Sequence, residues 1–462
     1  MNKITDVISA VSTPPGKGGV ALIRVSGKGA FDIARSIFRP VSGKSLDDYP
    51  TRYQVYGYVL DGEEKIDDAL LTKFSEGASY TGEECVEISC HGGMLLTRCV
   101  LEIIFRHGAR AAEAGEFTRR AFINGKLSLS EAEAVASLLE AKTREQIRLS
   151  GTASRDRLTE RVDEIRSSLV SLMSSMMARI DYPEEDLGDF SDCEALDILN
   201  SVKIALKALI ESYKTGRAIN EGISAVICGK PNVGKSSLYN LLLGEDSAIV
   251  TDIKGTTRDV LTSSVSLGKV MLNLSDTAGI RAGDGVDLVE RLGIEKSLEK
   301  VEKSELIFTI FDSSSPLDAE DHEIIGAIKD AGGVKIALLN KSDLGAVITE
   351  DDLPGIFDAI LFVSAKDEAS RGRIANAVDR LFTDEKIVVG ECAVVYTARQ
   401  SAELARCLES VELAIEALAM GFGQDAVASD VERAISAISE LDGREVSEAV
   451  VSDIFKKFCV GK

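Results

Sequence analysis

The sequence predicts a multidomain protein of mixed α/β and α+β class: an N-terminal α+β domain, a discontinuous helical-bundle domain, and a doubly wound parallel α/β domain inserted into the bundle. Three observations predict it. Residues 1–120 carry short strand-like runs punctuated by Pro and Gly turns, residues 121–218 and 383–462 carry helical periodicity, and residues 223–382 alternate apolar strand-length runs with helical stretches. A chain of 462 residues suits about three domains at roughly 100 to 200 residues each. The expected division is 1–120, 121–218, 219–382 and 383–462, the second and fourth segments forming one domain; two separate helical domains are the alternative.

In the first segment the strand-like runs are 20–25, 53–60 and 85–89, set off by Thr13-Pro14-Pro15-Gly16 and His91-Gly92-Gly93. Ser130-Glu131-Ala132-Glu133 reads as a capping box opening a helix that runs towards Gly151. Leu158, Val162, Ile165, Leu169, Leu172 and Met176 recur at alternating spacings of four and three, the seam of a bundle helix that stops at Pro183. An acidic linker over 181–189 leads to an amphipathic helix on Leu199, Val202, Leu206 and Leu209. The inserted domain takes its strands from 224–228, 270–275, 305–312, 334–339 and 360–363. Bundle periodicity then returns on Leu404, Leu408, Val411, Ile415 and Leu418, and on Val431, Ile435, Ile438 and Leu441.

Hydrophobic residues make up 45% and charged residues 28%, a globular balance and not a disordered one. No run approaches the ~18 apolar residues of a membrane helix, and Asp6 interrupts the only stretch resembling a signal peptide, so a soluble cytoplasmic protein with no membrane partner is expected. The net charge of −22 disfavours simple phosphate-coating nucleic-acid proteins. It is unevenly spread, with only −1 over residues 1–120. The eight cysteines include no Cys-x-x-Cys pair, which argues against a zinc knuckle or disulfide framework. Seven are expected to be buried small hydrophobes, with Cys459 set apart.

Gly229-Lys230-Pro231-Asn232-Val233-Gly234-Lys235-Ser236 fits the P-loop pattern, after a strand and before a helix starting near Ser237. Its amides and the helix N-terminus suit α- and β-phosphates, Lys235 the β- and γ-phosphates, and the Ser236 hydroxyl Mg²⁺. Asp276-Thr277-Ala278-Gly279 supplies a carboxylate for the Mg²⁺ shell and an amide for the γ-phosphate. Asn340-Lys341-Ser342-Asp343 places an acid that accepts from guanine N1 and N2, and Ser364-Ala365-Lys366 an amide for guanine O6. Four motifs in this order, each after a strand, define a guanine-nucleotide site. Thr251-Asp252-Ile253-Lys254-Gly255-Thr256-Thr257 reads as the loop that closes over the nucleotide, with Thr257 completing the Mg²⁺ shell.

Ile280 stands where Ras-like enzymes carry the water-orienting glutamine, so hydrolysis needs another route. Asn232, with carbonyls of Thr251 and Ile253, offers a cage for a monovalent cation in the place of an arginine finger; Arg258 is a rival source of positive charge. Glu290 is the candidate for orienting water.

Over its whole length the chain resembles the tRNA modification GTPases of the MnmE/TrmE family. The resemblance rests on Thr13-Pro14-Pro15-Gly16, Tyr80-Thr81-Gly82-Glu83, His91-Gly92-Gly93, Gly115-Glu116-Phe117-Thr118-Arg119-Arg120-Ala121-Phe122, Gly255-Thr256-Thr257-Arg258-Asp259 and the terminal Cys459-Val460-Gly461-Lys462. It implies a folate-binding and dimerising N-terminal domain, a discontinuous helical domain and an inserted potassium-activated GTPase domain. It also implies a flavin (FAD)-dependent partner in a heterotetramer, tRNA as substrate, and a one-carbon unit from 5,10-methylenetetrahydrofolate, with 5-formyltetrahydrofolate as a related ligand. The product is a carboxymethylaminomethyl or aminomethyl group at C5 of wobble uridine 34.

Carried over by motif, Asn232, Thr251, Ile253 and Thr256 look like K⁺ ligands, Ser236 and Thr257 like Mg²⁺ ligands, and Glu290 and Lys235 like the catalytic pair. The rest of the resembled GTP site comprises Val233, Gly234, Ser237, Asp252, Lys254, Gly255, Asp276, Thr277, Ala278, Gly279, Asn340, Lys341, Asp343, Ser364, Ala365 and Lys366. Arg24, Glu87, Lys126 and Lys462 look like folate contacts, with Cys459 a possible neighbour. The competing reading is a ribosome-assembly GTPase switch, which shares the P-loop but lacks the first 120 residues and the terminal Cys-Val-Gly-Lys. The flavoprotein partner is expected to supply much of the basic tRNA-binding surface, with a cluster of Arg106, Arg110, Arg119, Arg120 and Lys126 as this chain's best candidate contribution.

Overall fold

The computed structural model describes residues 6–181, 191–244, 262–275, 300–443, 451, 454–456, 458 and 460–461. The chain forms two compact units, Met1–Leu139 with Ile438–Lys462, and Glu140–Ala437.

The first unit is built on seven strands, β1 (Ile8–Val11), β2 (Val20–Ser26), β3 (Phe38–Pro40), β4 (Gln54–Asp61), β5 (Glu64–Phe74), β6 (Cys85–His91) and β7 (Arg110–Ala111). Their order is β3-β4-β5-β6-β2-β1-β7, antiparallel except for the β1–β7 pair. Alternation along β2 sends Ala21, Ile23 and Val25 into a core shared with helices α1 (Ala30–Ile37) and α2 (Met94–Arg106), while Leu22 and Arg24 face the other way. Sequence patterning finds β2, β4 and β6 but not β5, whose first half, Glu64–Asp68, is too polar to read as a strand.

Helices α3 (Glu116–Ile123) and α4 (Leu129–Glu140) follow. Gly115 opens α3 at φ +69°, and a Cβ there would lie 2.3 Å from the Phe455 carbonyl oxygen, so only glycine fits. The expected capping box on Ser130 and Glu133 is corrected. The Ser128 hydroxyl accepts from the Glu131 amide (3.1 Å) and the Glu131 carboxylate accepts from the Ser128 amide (2.7 Å), two residues earlier in register. Ser130 is buried and donates instead to the Leu441 carbonyl at 2.9 Å. The helix also stops at Glu140, and α5 (Arg144–Ser150) begins with its own box on Thr143 and Gln146.

In the second unit α6 (Thr152–Asp181) buries all six residues of the expected seam, and α7 (Asp192–Asn220), opened by a Ser191–Glu194 box, buries Leu199, Val202, Leu206 and Leu209. The second sheet comprises β8 (Ile223–Cys228), β9 (Thr262–Leu267), β10 (Val270–Ser275), β11 (Leu306–Asp312), β12 (Val334–Asn340) and β13 (Ala359–Phe362). Its order is β13-β12-β11-β8-β10-β9, and only β9, absent from the sequence reading, runs antiparallel. Helices α8 (Lys235–Leu243) and α9 (Ala319–Ile328) lie between its strands, and α10 (Ala369–Phe382) follows the last of them. Then come α11 (Ala398–Ala419) and α12 (Gln424–Asp442). Of the expected α11 seam Leu404 and Val411 are buried but Leu408, Ile415 and Leu418 are only half-buried, the buried stripe passing through Cys407 and Ala414 instead, while α12 buries Val431, Ile438 and Leu441. This is the inserted P-loop architecture the sequence predicts.

The cysteine expectation is corrected. Cys85, Cys90 and Cys407 are buried, but Cys99, Cys228 and Cys392 are partly exposed and Cys193 is exposed on the open first turn of α7. Among the described residues, no helix is long and apolar enough to cross a membrane.

Candidate functional site

The Gly-rich loop leaves the carboxyl end of β8 and enters α8 through Gly234, whose φ of +102° an L side chain rarely adopts; a Cβ there would lie 2.3 Å from Asn340 Nδ2. That crowding reflects a direct link between two motifs. Asn340, 2% exposed at the end of β12, donates from Nδ2 to the Val233 carbonyl (2.7 Å) and accepts at Oδ1 from the Ala365 amide (3.0 Å). One side chain thus joins the loops after β8, β12 and β13. Lys235 Nζ donates to the Gly229 and Lys230 carbonyls (2.6 and 2.9 Å), curling the loop around its own ammonium. Cys228, just before the loop, is pushed up to about 11 by burial despite the pull of Lys235, and so stays a thiol at neutral pH.

Around the Asn-Lys-x-Asp turn, Ser364 Oγ donates to Asp343 Oδ1 (2.8 Å) and accepts from the Lys366 amide (3.3 Å). The Ser364 bond holds the Asp343 carboxyl below its usual range, keeping it an acceptor. Lys341, at φ +62°, donates to Asp312 Oδ2 at 2.6 Å. Burial alone raises the Asp312 carboxyl, but bonds from Lys341 and Ser314 outweigh it and leave it lowered. Asp312 is absent from the sequence reading, although its place at the carboxyl end of β11, between the two motif strands, is the kind of signal that marks a ligand edge. Ser236 and Ser237 lie in the first turn of α8. Thr251, Asp252, Ile253, Lys254, Gly255, Thr256, Thr257, Arg258, Asp276, Thr277, Ala278, Gly279, Ile280 and Glu290 lie outside the described residues.

In the first unit Arg24 and Glu87 are cross-strand partners on β2 and β6, and Nε and Nη2 of Arg24 both donate to Glu87 Oε1, at 3.0 and 2.8 Å. The Tyr80 and Phe117 rings lie 5.3 and 5.5 Å from the guanidinium carbon, within cation–π range. The Tyr80 hydroxyl is 3.0 Å from that of Thr118, so the two family motifs around residues 80 and 117 meet at Arg24. Lys126 donates to the Gly77 carbonyl (3.0 Å), on the loop that carries Tyr80. Cys459 and Lys462 lie outside the described residues; beside them Val460 bridges to Ala114, and the Gly461 carbonyl accepts from Ser12 Oγ at 3.0 Å. An apolar cavity of about 620 Å³, walled by Val11, Leu101, Phe105 and Val460, opens nearby between α2 and residues 13–18.

The expected basic cluster is corrected. Arg120 is 1% exposed and donates to Asp6, Glu116 and Glu83; Arg110 is held by Asp6 and Glu116, and Arg106 by Asp61. These three arginines neutralise the protein's own carboxylates instead of forming a phosphate-facing patch.

A glycine-rich loop curled around a lysine and entering a helix, at the carboxyl edge of a doubly wound sheet and bonded to an Asn-Lys-x-Asp turn, defines a P-loop nucleotide-binding protein of the GTPase class. The model of the GTP-binding protein TrmE N-terminus matches residues 7–126, and that of the MnmE helical domain matches 129–459. The tRNA modification GTPase MnmE of Clostridioides difficile is 37% identical over 461 residues, covering 99% of this chain and 100% of that protein. The MnmE of Heliobacterium modesticaldum is 38% identical over 469 residues at the same coverage. The chain belongs to the MnmE family of tRNA modification GTPases. A solved FeoB G-domain from Methanococcus jannaschii is 23% identical over 35% of this chain and 98% of its own, with a TM-score of 0.26, too slight a likeness to bear on the fold.

Proposed function

We propose that this protein is a potassium-activated GTPase that, with a flavin-dependent partner, adds a carboxymethylaminomethyl or aminomethyl group to C5 of wobble uridine 34 in tRNA, a reduced folate supplying one carbon. The observation that carries the reading is the Asn340–Val233 bond of 2.7 Å, which makes the phosphate loop and the base-reading turn one site in a chain related to tRNA modification GTPases from end to end.

On this reading the amides of residues 232–237 hold the phosphates, Lys235 leaves its two carbonyls for the β- and γ-phosphates, Asp343 reads guanine, and Glu290 orients the attacking water. Both ion sites offer only oxygen, from hydroxyls, carbonyls and one side-chain amide, a donor set that suits hard cations. Ser236 and Thr257 would hold Mg²⁺, and Asn232, Thr251, Ile253 and Thr256 would hold K⁺, whose charges offset those developing on the phosphates. In the first unit Arg24, Glu87, Lys126 and Lys462 bind the folate, the cations meeting its glutamate tail and the carboxylate its pterin nitrogens. The protein works as a cytoplasmic homodimer, joined by the flavoprotein into a heterotetramer.

GTP turnover is expected to be much faster in potassium than in sodium; equal rates in the two salts overturn the cation cage. Mass spectrometry of wobble uridines from cells lacking the protein is expected to show the modification gone. Intact modification, with immature ribosomal subunits instead, favours the assembly-switch reading.

A further inference from the structure

We propose that Lys230, the second residue of the glycine-rich loop, is a positioning residue for nucleotide binding, clamping the loop to the start of α9 through Asp318 and Asp321. Its Nζ donates to Asp318 Oδ2 at 2.6 Å and to Asp321 Oδ2 at 2.7 Å. The two acids are the capping box of α9: the Asp318 side chain accepts from the Asp321 amide, and Asp321 reaches back to the Asp318 amide, both at 3.1 Å. The lysine therefore docks on a prebuilt pair whose geometry the helix fixes.

This clamp differs from an exposed ion pair. Asp318 is 53% exposed, but on the Asp321 arm the side chains of Lys230 and Asp321 are only 15% and 3% exposed, and Asp321 Oδ1 is buried without a hydrogen-bond partner. Breaking such a pair from one side leaves a buried charge uncompensated, unlike the loss of a surface pair.

The consequence for the loop comes through the main chain. The Lys230 carbonyl is one of the two that hold Lys235 Nζ. Two residues on, Asn232 adopts φ +63°, the left-handed region that, glycine aside, asparagine enters most readily. At the far side Asn340 holds the Val233 carbonyl. The left-handed Asn232 is thus pinned between two anchors, one buried amide and one clamped lysine. A loop held in this way before the ligand arrives binds phosphates without a further ordering cost. Because the clamp shapes the loop equally for any nucleotide, its loss weakens GTP and GDP together and spares the chemical step.

The inference rests on residues 229–236 being the phosphate loop. The test is fluorescence titration of the full-length protein with labelled GDP and a non-hydrolysable GTP analogue, alongside steady-state turnover in potassium. Lys230→Met is expected to weaken both nucleotides by a common factor of about tenfold and to raise KM similarly, with kcat within about twofold of wild type. Lys230→Arg, whose fork also reaches two carboxylates, is expected to restore affinity, and Asp318→Asn to add little to Lys230→Met. Should Lys230→Met fold poorly by circular dichroism, Lys230→Gln serves in its place. Both nucleotides bound within twofold of wild type, or a loss confined to kcat, overturns the clamp while the site stands. Wild-type protein that binds neither nucleotide overturns the phosphate-loop reading itself.

Discussion

Arg120 shows how a single residue's setting overrides its type. Its guanidinium donates to the Asp6 carbonyl and carboxylate (both 2.9 Å), to Glu116 (3.0 Å) and to Glu83 (3.3 Å). Burial alone raises the Glu116 carboxyl, but bonds from Arg110, the Glu113 amide and Arg120 outweigh it and hold it below its usual range. A carboxyl lowered on folding stabilises the fold fully above its unfolded pKa of about 4.3, and that contribution is lost as pH falls through the folded value. Denaturant titrations are therefore expected to give a flat midpoint from about pH 6 to 8 and a falling one below about pH 4. Arg120→Met is expected to lose about 3–5 kcal/mol at neutral pH, since Glu116 then lies buried without that partner. A neutral-pH loss under 1 kcal/mol counts against this account. In the second unit, Glu290→Ala is expected to keep GTP affinity while losing ~2.7 to 4 kcal/mol of transition-state stabilisation, taking an oxyanion donor as the guide. Wild-type turnover in single-turnover assays places the water-orienting role elsewhere.

Among the elements, α3 depends most on one backbone position. Gly115→Ala forces a side chain into φ +69° and against the Phe455 carbonyl, and thermal melts are expected to show a loss of about 1–3 kcal/mol. An unchanged melting temperature means that residues 455–458 can move aside. Contacts of this kind, between stretches far apart in sequence, are what local patterning cannot show. The bundle seams of α6 and α7 and the core strands of the second sheet are legible because their apolar residues repeat over many turns or in unbroken runs. The sequence leaves the box ambiguous because Ser128 and Ser130 both precede a glutamate by three residues, and only the burial of Ser130 against Leu441 separates them. The nucleotide motifs are legible because each is contiguous in sequence. Asp312 beside Lys341, Lys230 on Asp318 and Asp321, and Tyr80 and Phe117 flanking Arg24 join distant stretches, and no local pattern announces them.

At the scale of the whole molecule, a net charge of −22 must be reconciled with tRNA as substrate. Residues 1–120 carry only −1 and residues 223–382 carry −9, so no long segment offers a positive field. Within the nearly neutral segment Arg106 and Arg110 are bonded to carboxylates and Arg120 is buried, which removes the densest apparent basic cluster. Affinity for RNA falls with salt in proportion to the phosphates neutralised, by a slope of about 0.7 to 0.9 per phosphate. Arginines tied to the protein's own carboxylates release fewer counterions on binding RNA. The chain alone is therefore expected to bind tRNA weakly, with a log–log salt slope no steeper than about −2, equivalent to two or three phosphate contacts. Adding the proposed flavoprotein is expected to steepen the slope and tighten binding together, because the missing positive surface then comes from the partner. Fluorescence anisotropy of labelled tRNA across a potassium chloride series, with and without that partner, separates the possibilities. A slope near −5 for the chain alone requires a basic surface supplied by residues other than these arginines, and overturns the assignment of tRNA holding to the partner.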